Sequence, residues 1–292
     1  MKKYLLPITL LLIFFASPLS AATFTDAVGR EVVLDEPPRR IISLVPSVTE
    51  ILFALGAEEQ LVAVTDACTY PEAATSLPNV GQYADPSLEQ ILLHRPDLVF
   101  ASADMNRPDQ VKRLESLDIR VFVVYPNTVQ ETLETIRVIG QVSGHAVTAE
   151  ELIGDFSRRL QHIEQQLEQR PRVSALVCVM LQPLMVAGPN TIVGDILRYA
   201  GGDNPVSAGN NNYPTWNMEA LLRIDPEVII VSSHPGQPAP ATVFDQWPQL
   251  QAVREQRIIE TVADWIHRPG PRMILGIEAL AKALHPDMTI DN

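Results

Sequence analysis

The residues best suited to do chemistry here are aromatic, and the chemistry is contact rather than catalysis: Tyr70, Tyr83, Tyr213, Trp216 and Trp265. Each falls in a segment that follows an expected strand or precedes an expected helix, where a ligand cleft would be lined. Tyr and Trp faces supply apolar area while freezing few torsions, and they keep a hydrogen-bonding tip. A set of them therefore suits a large, flat, partly apolar ligand with a polar rim. Ordinary loop packing would account for any one of them alone. Pro46 and Ser47, directly after an apolar run, add a rigid turn and a hydroxyl beside them.

Nothing in the chain assembles a reaction centre. It has no Gly-x-Ser-x-Gly elbow, no His-Glu-x-x-His helix, no Gly-x-x-x-x-Gly-Lys phosphate loop and no Cys/His cluster. Its six histidines are scattered, with only His234 and His267 in loops near the expected cleft, and two such residues do not make a metal site. No metal, no cofactor and no enzymatic activity are expected.

The two cleft tyrosines Tyr83 and Tyr213 belong to a repeat. Residues 83–102, YADPSLEQILLHRPDLVFAS, and 213–232, YPTWNMEALLRIDPEVIIVS, align without a gap at an offset of 130 residues. Tyr83 pairs with Tyr213, Glu89 with Glu219, Pro96 with Pro226, Asp97 with Glu227 and Ser102 with Ser232. A looser match joins 49–56 to 194–201, each an amphipathic helix stopped by a glycine. So long a period signals a duplicated domain rather than a solenoid or propeller. Two similar lobes imply a cleft between them. Glu89 and Glu219 each stand near a helix start, which the helix dipole favours for a carboxylate. The dipole does not require the duplicated positions to match, whereas one acidic knob per lobe would suit docking onto a two-fold symmetric partner bearing basic residues.

The elements that must hold these residues alternate along the chain. Short apolar runs at 41–45, 98–101, 121–124 and 175–180 predict strands. Helical spacing over 46–55, 87–94, 108–116 and 128–139 predicts helices, with Ser87, Thr128 and Thr148 where N-caps belong. The alternation predicts an α/β fold of two similar lobes with mainly parallel sheets and ligand loops at the carboxyl ends of the strands. From Thr148 to Arg170 the chain is charged and helical, with Leu152, Phe156, Leu160, Ile163 and Leu167 on one stripe, and Pro171 ends it. We expect an N-terminal lobe over 37–145, one long connecting helix over 146–171 and a C-terminal lobe over 172–288, with the ligand cleft between the lobes. A rigid helical connector predicts limited closure of one lobe on the other.

Met1-Lys2-Lys3, an apolar run over 4–15 and small residues from Ala16 to Ala22 read as a cleavable signal peptide spanning 1–22. The apolar run is too short to span a bilayer. The mature chain is therefore expected outside the cytoplasm, most simply in the periplasm of a Gram-negative bacterium. Without Lys2 and Lys3 it carries 20 basic against 35 acidic residues, a formal net charge of −15. That argues against nucleic acid or an anionic membrane surface as partner. Both cysteines read as small residues: Cys178 is buried in an expected strand of the second lobe, and Cys68 lies in a loop, where a thiol can be exposed and reactive. A bond between them would hinder movement of the lobes, so both are expected free.

Several segments together resemble a known family: PRRIISLVPSVTE at 38–50, TDACTYP at 65–71, VGQY at 80–83, YPTWNME at 213–219 and DWIHRPGPR at 264–272. They are similar to the helical-backbone class of periplasmic substrate-binding proteins, which serve ABC importers of vitamin B12, haem and iron–siderophore complexes. The first segment marks the broad class, and the Tyr-Pro and Asp-Trp segments lean toward its cobalamin branch. The resemblance covers nearly all of the mature chain. It implies a monomer that captures a corrinoid, vitamin B12 or a relative, and delivers it to the permease and ATPase complex of an inner-membrane ABC importer. It also implies corrin contacts from Pro46, Ser47, Tyr83, Tyr213 and the loop of Asp264, Trp265 and Arg268, and it sets Glu89 and Glu219 on the carboxylates that engage permease arginines. Tyr83 and Tyr213 stand where the best-known member has Trp, and Ala67 replaces an aromatic, differences that bear on tightness and on the corrinoid chosen.

A corrinoid is a planar macrocycle fringed by amides, which apolar faces, Asp264 and backbone groups suit. Haem or a ferric siderophore, the alternative ligands on the same scaffold, carry more anionic charge and ask for several convergent Arg or Lys. Here Arg268 is the one well placed, with Arg272 turned into the following helix. A periplasmic enzyme on the same two-lobed architecture is a third reading, disfavoured because no nucleophile–base pair is visible.

Overall fold

The computed structural model describes residues 21–233 and 243–289. The expected signal peptide, apart from Ala21 and Ala22, lies outside the described residues, as does His234. Strands β1 (Ala22–Thr25) and β2 (Glu31–Leu34) form an antiparallel hairpin. The first lobe continues through β3 (Ile41–Ser43), α1 (Pro46–Ala54), β4 (Leu61–Val64), α2 (Leu88–Leu93), β5 (Leu98–Ser102), α3 (Pro108–Glu115), β6 (Arg120–Val124) and α4 (Val129–Ser143). Its sheet is parallel throughout, in the order β4-β3-β5-β6. Helices cover both faces, so β5 reads as an unbroken apolar run that is buried along its whole length rather than as an alternating one. The hairpin, although it precedes residue 37, packs on this lobe: Asp26 accepts from the Val123 N–H, and Arg30 donates to the Val121 carbonyl.

Helix α5 (Ala146–Leu167) follows, and it begins earlier than a Thr148 cap would have it. Gly144, at φ 82°, reverses the chain out of α4, and His145 takes the capping position without a side-chain bond, which leaves Thr148 inside the first turn. The two helices meet closely, since a Cβ on Gly140 would lie 2.4 Å from the Cβ of Ala149. The fully buried stripe of α5 is Ala149, Ile153, Phe156, Leu160 and Ile163. Ile153 takes the central place expected of Leu152, and Leu152 and Leu167 flank the stripe half-buried.

The second lobe comprises β7 (Val173–Leu181), β8 (Leu184–Val186), α6 (Ile192–Tyr199), β9 (Gly202–Asp203), α7 (Met218–Ile224), β10 (Val228–Ser233), α8 (Gln251–Arg254), β11 (Ile258–Val262), α9 (Ala263–His267) and α10 (Met273–Leu284). Its strand order is β11-β10-β7-β8, parallel except for β8, and β9 adds a short parallel pair at the start of β7. The lobes are tied directly as well as through α5. Asp195 on α6 accepts a 2.8 Å bond from the N–H of Val129, the first residue of α4.

The sequence repeat has a backbone cause. α2 and α7 start on side-chain caps at aligned positions, Ser87 accepting from the Gln90 N–H and Asn217 from the Ala220 N–H. Both helices are left through a residue in the left-handed region, Arg95 at φ 44° and Asp225 at φ 46°, just before the paired prolines. Asp97 then accepts from the N–H groups of Arg39 and Arg40 at the entry to β3, and Glu227 accepts from the Ser174 N–H in β7. The matched acid thus pins each helix–strand unit to the neighbouring central strand.

Candidate ligand cleft

Loops from the two lobes enclose a cavity of about 370 Å³. From the first lobe come the segments that follow β3, β5 and β6, and from the second the entry to α6, the loop before α7 and the exit of α9. Of the residues proposed from sequence, Pro46, Ser47, Tyr83, Tyr213 and Arg268 line this cavity together. Tyr70, Trp216, Asp264 and Trp265 are not among its lining residues.

Each cleft tyrosine is held by its backbone. Gly81, at φ 109°, turns the chain so that the Tyr83 N–H reaches Asp66 at 3.2 Å, while the Tyr83 carbonyl accepts from Asn106 Nδ2 at 2.8 Å. Burial, then the nearby Asp104 carboxylate, push the Tyr83 hydroxyl pKa well above the ordinary phenol value, with the neighbouring Ser102 opposing them. Tyr213 sits on a loop strapped to β8 by bonds from the Gly188 N–H to Asn212, from the Val186 N–H to Pro214 and from the Trp216 N–H to Leu184. Gly188 is required there, because a Cβ would lie 2.9 Å from the Asn212 carbonyl oxygen. The Tyr213 hydroxyl meets Thr191, and burial raises its pKa as well. Both rings therefore present neutral phenols at physiological pH.

Arg268 is part of an ionic clasp that crosses the lobe boundary. Glu50 on α1, only 3% exposed, accepts two bonds from Arg272, at 2.8 and 2.6 Å, and one from Arg268 at 3.4 Å. Asp264 completes the group, 3.1 Å from Arg268 and 3.2 Å from Arg272. Two guanidinium groups and two carboxylates thus cancel one another. Asp264 positions the arginines, and Tyr70 lies against Arg272, whose guanidinium carbon is 4.1 Å from the ring centroid. Trp265 is in the short helix α9 rather than in a loop, half-buried against the main core. Trp216 packs into a satellite core with Leu221 and Phe244.

Sequence reading passed over other lining residues: Asp104, Met105, Tyr125, Asn127 and Asn212. The signal was available for the first four, which directly follow β5 and β6, since ligands of parallel sheets meet the carboxyl ends of strands.

Residues 41–264 match the model of the periplasmic binding protein family. The chain belongs to that family. Among relatives of this periplasmic binding protein, the Bacillus subtilis (strain 168) ABC transporter substrate-binding lipoprotein YvrC is 29% identical over 273 residues, which cover 91% of this chain and 86% of the relative. The periplasmic vitamin B12 binding protein BtuF of Vibrio cholerae superposes with a TM-score of 0.76 at 27% identity, over 85% of this chain and 97% of its own. A periplasmic haem-binding protein from Pseudomonas aeruginosa superposes with a TM-score of 0.76 at 28% identity, over 87% and 95% of the two chains. So even a likeness to binders of different macrocycles leaves the ligand to be decided by the chemistry of the cleft.

Outside the cleft, Glu89 and Glu219 are the second residues of α2 and α7, and both are exposed; Glu219 pairs with Arg223 at 3.0 Å. Both cysteines are free and buried. Cys68, although in a loop, is therefore not an exposed thiol: the turn after β4 folds beneath α1, where the sulfur lies 3.1 Å from Thr49 Oγ1 and 3.4 Å from Thr65 Oγ1. Burial pushes the Cys178 thiol up to about 12. Among the described residues, no group of three or more His, Cys, Asp or Glu is placed to hold a metal ion. No described helix is long and apolar enough to cross a membrane.

Proposed function

We propose that this periplasmic binding protein captures a corrinoid, vitamin B12 or a relative, in the cleft between its lobes and hands it to an inner-membrane ABC importer, without catalysis of its own. The observation that carries the reading is that Arg268, the arginine at the cleft, already has its charge matched by Glu50 and Asp264. A ligand such as haem or a ferric siderophore would need cations with charge to spare. Among the described lining residues there is no lysine and no second arginine, and the sequence of 234–242 contains neither. Apart from Asp104 and His267, the polar lining is phenol, amide and hydroxyl: Tyr83, Tyr125 and Tyr213, Asn127 and Asn212, and Ser47, Ser102 and Thr191. That inventory suits the faces and amide fringe of a corrin.

Delivery is assigned to Glu89 and Glu219, which offer one exposed carboxylate per lobe to basic residues of the permease. The protein acts in the periplasm as a monomer. Titration of the purified mature chain with cyanocobalamin, cobinamide and haemin, followed by absorption and calorimetry, tests the reading. One-to-one saturation by a corrinoid is expected. Saturation by haemin, with no heat and no spectral change from either corrinoid, would refute it.

A further inference from the structure

We propose that Asp104 selects the ligand by charge: its carboxylate admits planar ligands that are neutral or cationic and turns away those that carry carboxylates. This rests on the reading of the cleft as the ligand site and sharpens the corrinoid assignment. Asp104 follows β5 and lines the cavity. The turn that carries it is anchored, since the Ser102 N–H donates to Asn106 Oδ1 at 2.9 Å and Asn106 Nδ2 donates to the Tyr83 carbonyl at 2.8 Å. Ser102 Oγ donates to the Asp104 carboxylate, which ties that carboxylate to the group that also meets the Tyr83 hydroxyl. Its negative field reaches the cleft tyrosines of both lobes: after burial, it is a further cause of the raised pKa of Tyr83 and a lesser one for Tyr213.

Among the described lining residues, Asp104 is the one carboxylate. Arg268 and Arg272 are offset by Glu50 and Asp264, so the clasp contributes no net charge. His267 also lines the cavity. A carboxylate-bearing ligand would meet the Asp104 carboxylate as a like charge, whereas an amide N–H or a cationic centre finds an acceptor there. Discrimination of this kind works by repulsion of the wrong ligand as much as by attraction of the right one.

One unit charge at about 6 Å, under an effective dielectric of about 40–80, changes Kd by roughly three- to tenfold. At pH 8 and low salt, Asp104→Asn is expected to tighten haemin binding and weaken binding of aquocobinamide, a corrinoid cation, each by that factor. Asp104→Glu, which keeps the charge, should retain the haemin-to-cobinamide ratio of the unaltered protein. At about 0.5 M salt the effect of Asp104→Asn should shrink, because the Debye length falls to a few ångströms. A ratio that stays within twofold in Asp104→Asn, or that moves equally in Asp104→Asn and Asp104→Glu, overturns the proposal while leaving corrinoid capture standing. If the unaltered protein takes up haemin and no corrinoid, the functional reading falls; the role of Asp104 then survives if Asp104→Asn tightens haemin and falls with it if not.

Discussion

Replacing Glu50 by Gln removes one negative charge from the interlobe clasp while keeping the shape of the side chain. Glu50 is 3% exposed and accepts from both Arg268 and Arg272, whose own side chains are 20% and 13% exposed. Removing one partner of a buried ion pair costs about 3–5 kcal/mol, because the remaining charge stays buried without compensation. Here the guanidinium groups keep Asp264 and some contact with water, so we expect the lower part of that range, about 3 kcal/mol. For a domain of this size about 2–4 °C in Tm accompanies each kcal/mol, which gives a drop of about 6–12 °C. The measurement is thermal unfolding at pH 7 by circular dichroism. Glu150→Gln is the control: Glu150 pairs with Arg137 with 55% of its side chain exposed, and an exposed pair is worth at most about 1 kcal/mol. A Glu50→Gln drop below about 2 °C, or one no larger than that of the control, would refute the claim that the clasp fastens the lobes.

Further outcomes follow from the same geometry. Tyr83→Ala and Tyr213→Ala should each weaken corrinoid binding by about 1–3 kcal/mol in calorimetry, whereas Trp265→Ala should lower Tm more than affinity, since that ring packs on the core. Replacing Glu89 and Glu219 together by Lys should leave corrinoid affinity in place and weaken association with the reconstituted importer, most at low salt; normal docking with lost ligand binding would reverse the assignment. Burial lowers the pKa of His285 below 6.5, so below about pH 6.5 the unfolded chain binds a proton that the folded chain does not. The stability linked to this group should be fully present above about pH 6.5 and decline as the pH falls toward the folded pKa, and His285→Asn should flatten that limb of a Tm-against-pH curve.

Duplication, lobes and cleft were legible because the repeat preserves features with strict backbone jobs. Ser87 and Asn217 had to be caps, and Pro96 and Pro226 had to follow turns. The extent of α5 was less legible. A good capping residue at Thr148 competed with the tertiary demand that Gly140 meet Ala149, and the close helix contact won. The aromatic residues were read by type and neighbourhood, which cannot separate a ring turned to the cleft from one turned to the core. Trp265 and Trp216 went inward because α9 and the loop before α7 pack those faces, while Tyr125 and Asp104, on unremarkable stretches after strands, lie at the cavity. The clasp was invisible for another reason: Glu50 and Arg272 are 222 residues apart, and nothing local in either segment announces the other.

The bond from the Val129 amide to Asp195 joins the first turn of a helix in one lobe to a side chain in the other. It makes a single backbone hydrogen a built-in gauge of the hinge. Whenever the lobes part far enough to break it, that hydrogen is released to solvent, while the following turn of α4, capped by Thr128 within its own lobe, stays protected. Deuterium uptake at this one amide would therefore count opening events in the free and loaded protein, and it would show whether an importer that grips both lobes empties the cleft by prying them apart.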